Sequence, residues 1–79
     1  MNNIIILTKE FILEELNYII DNNILSEKEL LIIKLRYGIE ANPKSLREIS
    51  RIANIKLKNV KKEVDEAERK IFNILKKKI

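Results

Sequence analysis

The chain of 79 residues has no cysteine, no histidine and no tryptophan, and only one glycine and one proline. Without Cys and His there is no thiol nucleophile, no disulfide and no imidazole base, and the usual ligands for zinc, haem and iron–sulfur clusters are missing. Most small-enzyme chemistry is thereby excluded, and neither a metal nor an organic cofactor is expected. The scarcity of Gly and Pro argues against strand-and-turn or collagen-like architecture, while 46% apolar and 35% charged residues argue against disorder. Long hydrophobic runs are lacking as well. None exceeds four residues, and the one near the start, Ile4 to Leu7, is too short for a membrane span or a signal-peptide core and has no basic residue before it, so a cytoplasmic protein that engages no membrane is expected.

A chain this short buries only roughly 60 to 65% of its unfolded surface, which sets the expectation of one all-α domain over residues 1–79. The 16 Ile, 12 Lys and 9 Asn share A/T-rich codons, which accounts for the bias without any special chemistry. Charge is more telling when divided. Residues 1–40 carry 4 basic and 7 acidic side chains, a net of −3, whereas residues 41–79 carry 12 and 5, a net of +7; the two sum to +4. The second half is suited to a polyanion, because a basic face attracts phosphate backbones whatever their sequence.

Four helices are expected. The first starts after Thr8, a good N-cap, and carries Phe11, Ile12, Leu16, Ile19 and Ile20 on its apolar face before Asp21-Asn22-Asn23 stops it. The preceding Asn2 to Ile6 segment fits a strand, an extended arm or a helical turn equally well. The second helix has a capping box, Ser26 with Glu29, and a staple, Leu25 with Leu30, and ends at Gly38. Leu30, Ile33 and Tyr37 mark its main face and Leu31, Ile32 and Leu35 widen it, so it is either central to the core or offered in part to a partner. A second capping box, Ser45 with Glu48, opens a short helix bearing Leu46, Ile49, Ile52 and Ala53. After Asn54, a long helix from about Leu57 to Lys77 carries a seam of period 3.5 through Leu57, Val60, Val64, Ala67, Ile71 and Ile74.

A short helix, a tight turn and a long helix make the layout of a helix-turn-helix, in which the second helix enters the DNA major groove. The motif needs a small residue at the closest approach, a residue tolerant of positive φ four positions later, and an aliphatic anchor six positions after that. Ser50, Asn54 and Val60 fill these places, with Ile49, Ile55 and either Ile52 or Ala53 packing between the helices. An ordinary helical hairpin would show similar spacing. In the helix-turn-helix reading, Lys58, Asn59, Lys61 and Lys62 face DNA, with Asp65 and Glu66 at the edge of that side and Lys56 in the turn before it. Asn59 is suited to adenine, and the lysines to phosphate or guanine. Arg47 and Arg51 are phosphate clamps, unless they pair with Glu48 or Glu63.

These residues resemble a known family. Leu25-Ser26-Glu27-Lys28-Glu29, Leu35-Arg36-Tyr37-Gly38-Ile39, Ser45-Leu46-Arg47-Glu48-Ile49-Ser50 and Ala67-Glu68-Arg69-Lys70-Ile71 are similar to the fourth, C-terminal region of sigma-70-type bacterial sigma factors. The similarity runs over about residues 25–75, within a region-four-like stretch of 25–77 that follows an N-terminal extension and helix at 1–24. It implies a helical domain whose recognition helix reads double-stranded promoter DNA, with Leu57 to Lys62 near the promoter. The earlier helices would dock on the β flap of core RNA polymerase, through Leu31, Lys34, Leu35 and Tyr37.

The departures carry implications of their own. Where primary sigma factors have a Ser or Thr cap and an Arg-Glu-Arg-x-Arg-Gln-like face, this chain has Lys56 and Leu57-Lys58-Asn59-Val60-Lys61-Lys62, and Glu63 replaces the next aliphatic residue. A divergent promoter, or less selective DNA contact, is implied. With no room for the other sigma regions, the chain is expected to be a fragment or a stand-alone region-four protein. Two alternatives stand beside this reading. One is an adaptor or anti-sigma-like protein that binds polymerase or a sigma factor but not DNA. The other is an independent regulator that dimerises through residues 4–20 or through Phe72, Leu75 and Ile79. Carboxylate pairs such as Glu14 with Glu15 and Asp65 with Glu66 are helix neighbours rather than a convergent pair, so no enzyme is expected.

Overall fold

A computed structural model describes residues 7–78; the Asn2 to Ile6 segment and Ile79 lie outside the described residues. The described chain is all-helical, with α1 (Lys9–Asp21), α2 (Glu27–Tyr37), α3 (Leu46–Ala53) and α4 (Leu57–Lys78), and it contains no strand. Each start of the first three helices is set by a side chain. The Thr8 hydroxyl accepts the Phe11 N–H at 3.1 Å. Ser26 with Glu29 and Ser45 with Glu48 form complete capping boxes, each hydroxyl accepting the N3 amide and each carboxylate accepting the cap amide.

The helix ends share one device. Asn23, Gly38 and Asn54 stand in the left-handed region at φ of 51°, 71° and 56°. In each turn the next residue's N–H reaches back to the last helical turn: Ile24 to Ile19 O at 3.0 Å, Ile39 to Lys34 O at 2.9 Å and Ile55 to Ser50 O at 3.0 Å. This is the Schellman pattern, and it satisfies carbonyls that the helix end leaves open. Each returning residue is an isoleucine that then packs inward, so the cap also directs the chain into the core. Gly38 is required twice over, because a Cβ there would sit 2.6 Å from Pro43 Cδ as well as at positive φ.

Two apolar clusters form the interior. The upper one joins Leu7, Ile12, Ile19, Leu25, Ile33, Ile39, Ala67, Ile71 and Ile74, with Leu30 and Tyr37 against it. The lower one joins Ile32, Ile49, Ile55, Val60 and Val64, with Leu46 and Ala53 against it. Helix α2 is central, since its consecutive, fully buried Ile32 and Ile33 belong to different clusters. Helix α4 spans both.

Two expectations need correction, and the choice left open between Ile52 and Ala53 is settled. Ile20 is 45% exposed although the periodicity of α1 placed it inward; Ile12 and Ile19 are the residues of α1 buried in the upper cluster. Ile52 is 52% exposed, and Ala53 supplies the packing between α3 and α4. Leu57 is 46% exposed while the rest of the seam lies between 0 and 7%. At the first residue of a helix the seam has run past the neighbouring elements, and the lower cluster closes on Ile55 and Val60 instead.

Candidate nucleic-acid interface

The turn between α3 and α4 is closed by paired bonds. Ser50 Oγ donates to the Ile55 carbonyl at 2.5 Å while the Ile55 amide donates to the Ser50 carbonyl at 3.0 Å, across Asn54 in the left-handed conformation. A larger residue at 50 would separate the chains at this point. Ile55 is buried just after the turn, and Ile49 on α3 and Val60 on α4 are fully buried in the lower cluster. The three helix-turn-helix positions, Ser50, Asn54 and Val60, therefore hold the small contact, the positive φ and the buried anchor.

With Val60 and Val64 turned inward, Lys56, Leu57, Lys58, Asn59, Lys61 and Lys62 are all exposed. Helical spacing sorts them further. Leu57 lies one turn before Lys61, and Lys58 one turn before Lys62, so these four form two adjacent rows. Asn59 lies one turn before Glu63, whose carboxylate pairs with Lys28 of α2 at 3.7 Å, so Asn59 belongs to the flank nearer α2. Lys61 pairs with Asp65 at 3.2 Å, but both are well exposed and the pair gives way readily to another anion.

The start of α4 is electropositive for two reasons. It has no acidic residue in its first turn, and Lys56 offers no side-chain acceptor; the Lys56 carbonyl takes the Asn59 N–H at 2.8 Å. The amide groups at the positive end of the helix dipole thus stand among lysines rather than carboxylates, an arrangement that weakens an isolated helix and favours an incoming anion.

Arg47 and Arg51 are exposed on α3 and make no ion pair among the described residues. Their alternative partners are engaged elsewhere. Glu48 accepts the Ser45 N–H at 3.1 Å, and that amide and the Ser45 hydroxyl hold its carboxyl below the ordinary carboxylate range. Glu63 is directed toward Lys28. The structure thus brings Arg47, Arg51, Lys56, Lys58 and Lys62 to the two helices of the motif as unpaired cations.

The residues implied in polymerase contact are less uniform. Leu31 is 40% exposed, whereas Leu35 is half-buried against the lower cluster. Lys34 pairs with Glu40 at 2.8 Å. Tyr37 is half-buried, and its hydroxyl donates to Glu68; burial first, and then the Glu68 carboxylate, raise its pKa above the ordinary tyrosine range. Sequence reasoning did not single out Leu13 and Tyr18, which stand 46% and 48% exposed on α1. Nor did it find a groove of about 480 Å³ between α1 and the end of α4, lined by Tyr18, Ile24, Lys70, Ile74 and Lys77 among others. No local signal marks that groove, because its walls are some fifty residues apart in sequence.

Among the described residues no group of His, Cys, Asp and Glu is arranged to hold a metal ion, and no helix is long and apolar enough to cross a membrane. The chain matches no protein-family model, no curated protein and no solved structure.

Proposed function

We propose that the chain is a DNA-binding transcription protein of the kind its resemblance to region four of sigma-70-type sigma factors implies. In this reading α4 lays its first two turns in the major groove of promoter DNA while α3 braces it and Arg47 and Arg51 clamp phosphates. The acidic, apolar first half meets core RNA polymerase, with Leu31, Lys34, Leu35 and Tyr37 near the β flap. The protein works in the cytoplasm, as a non-enzymatic partner of the polymerase. One observation carries the reading: a helix-turn-helix turn closed at Ser50, Asn54 and Ile55 presents five cations without ion pairs on its outer side.

The test is DNA affinity across a salt series for the parent and for the variant with Lys58, Lys61 and Lys62 all replaced by Gln. Each phosphate contact contributes about 0.9 to the slope of log affinity against log salt, so losing three flattens the slope by about 2 to 3. An unchanged slope with unchanged affinity would remove α4 from the interface.

A second reading is favoured by the exposed Leu13, Tyr18 and Ile20 on α1, which stand beside Glu10, Glu14 and Asp21. A protein partner that covers this face fits polymerase or a sigma factor, and fits an adaptor that never touches DNA. A second copy of the chain on the same face would make a homodimeric regulator, which size exclusion distinguishes by mass.

A further inference from the structure

Resting on the DNA-binding reading, we infer that Leu57 is a base-reading residue and that the group it reads is the C5-methyl of thymine. Six large hydrophobic side chains are exposed among the described residues: Leu13, Tyr18, Ile20, Leu31, Ile52 and Leu57. Four of them lie on α1 and α2, in the half that is net acidic. Leu57 stands instead between Lys56 and Lys58 and one turn from Lys61, at the exposed start of α4 where the apolar seam meets the basic face.

The core does not require a leucine there. Val60, Val64, Ala67, Ile71 and Ile74 complete the seam at 0 to 7% exposure without it, and Leu57 at 46% lies outside both clusters. A phosphate-facing role does not require it either, since the flanking lysines supply the charge. What remains is contact with something apolar inside a polyanion. In the major groove the only apolar group that a base edge presents is the thymine methyl, which aliphatic side chains contact directly.

The rest of the face leaves that contact much of the discrimination. Lysines act as flexible point charges, and the first two turns of α4 hold no Arg, Gln or carboxylate before Glu63. Asn59, the residue best matched to adenine, sits toward the α2 flank rather than in the rows of Leu57 and Lys58. Removing one methyl from an apolar contact of this kind lowers affinity about three- to fourfold.

The experiment needs no known site. The full chain is titrated at low salt into an alternating A·T duplex and into its A·U counterpart, which differs only by the C5-methyl and carries the same charge and the same minor-groove pattern. Parent, Leu57→Ala and Ile52→Ala are compared, with helix content checked by circular dichroism; both side chains are about half exposed, so both variants are expected to fold. The parent should bind the A·T duplex at least threefold more tightly. Leu57→Ala should bind both duplexes equally with an unchanged salt slope, and Ile52→Ala should keep the preference. Equal binding by the parent, or a preference that survives in Leu57→Ala, overturns the assignment while leaving DNA binding intact. Absence of binding to either duplex overturns the DNA-binding reading together with it.

Discussion

Replacing the buried Gly38 with Ala should cost more stability than most single changes outside the apolar clusters, and the reason is geometric. The residue stands at φ 71°, where a Cβ meets the left-handed penalty of roughly 1 to 2 kcal/mol. The same Cβ would lie 2.6 Å from Pro43 Cδ, 2.7 Å from Cγ and 2.8 Å from the Pro43 nitrogen, so the 38–45 loop must move. Relief of such crowding costs about 1 to 3 kcal/mol. The loop is held where it is: the Lys44 N–H donates to the Leu35 carbonyl at 2.8 Å, and Arg36 Nη1 approaches the Lys44 carbonyl at 3.5 Å. Against these costs the less flexible unfolded chain returns about 0.4 to 1 kcal/mol. The net loss is about 1 to 4.6 kcal/mol, centred on roughly 3, out of a stability on the order of 4 to 12 kcal/mol for a chain of this length. Thermal unfolding followed by circular dichroism should show Tm falling by roughly 10 to 20 °C. In a Pro43→Ala background the same substitution should cost about 1 kcal/mol less, since Cγ and Cδ are gone while the backbone nitrogen remains. A Gly38→Ala variant within about 0.5 kcal/mol of the parent would refute the reasoning.

Asn54 tests the helix-turn-helix turn in the same way: Asn54→Gly should stay within about 0.5 kcal/mol of the parent in urea unfolding, whereas the β-branched Asn54→Val should lose about 2 kcal/mol and DNA affinity with it. Ile33, fully buried where α2 meets the upper cluster, should cost about 2 to 5 kcal/mol when cut to Ala, enough to leave a partly unfolded population visible without denaturant. Acid should loosen the packing of α2 on α4. Burial works against the charged form of Glu29, but its bonds from Lys70 at 2.8 and 2.9 Å and from the Ser26 amide outweigh that and hold the carboxyl below the ordinary value of 4.5. A depressed carboxylate stabilises the fold above its unfolded pKa and loses that contribution as pH falls below it, so Tm should drop below about pH 4.5 and Lys70→Met should flatten the drop. At the alkaline end the sign reverses. Tyr37, with its raised pKa, stabilises fully below the ordinary tyrosine value of 10.0 and less as pH rises beyond it, so Tyr37→Phe should remove that part of the alkaline decline in Tm.

Local chemistry wrote most of the fold into the sequence. A hydroxyl three residues ahead of a glutamate fixed the starts of α2 and α3, because both partners of a capping box lie within one turn. Gly38 and Asn54 marked ends by the same economy, as the two residue types that accept positive φ most readily. Long-range pairing was not legible. Nothing near Glu29 indicates Lys70, 41 residues on, and nothing near Tyr37 indicates Glu68, because crossing helices rather than spacing bring them together. Periodicity also overreached at helix ends. It assigned Ile20 and Leu57 to the interior because a repeating pattern carries no information on where the neighbouring helix stops. The candidate interface was legible in kind, as a basic face opposite Val60 and Val64. Its internal order, with Asn59 toward α2 and Leu57 on the opposite flank beside Lys61, needed Glu63 placed against Lys28.

The exposure of Leu57 and the freedom of Arg47 and Arg51 follow from one cause. The lower cluster is complete without them, so α3 and the start of α4 form a supported platform whose outer side has no internal duty. The most direct test of that division is a titration of the isotopically labelled chain with a short random-sequence DNA duplex, followed residue by residue through backbone amide NMR shifts. The account predicts that the shifts concentrate at residues 45–62, strongest from Lys56 to Lys62, while α1 is unmoved. Shifts centred on α1 or on the groove beside Tyr18, or none at any residue in low salt, would contradict it.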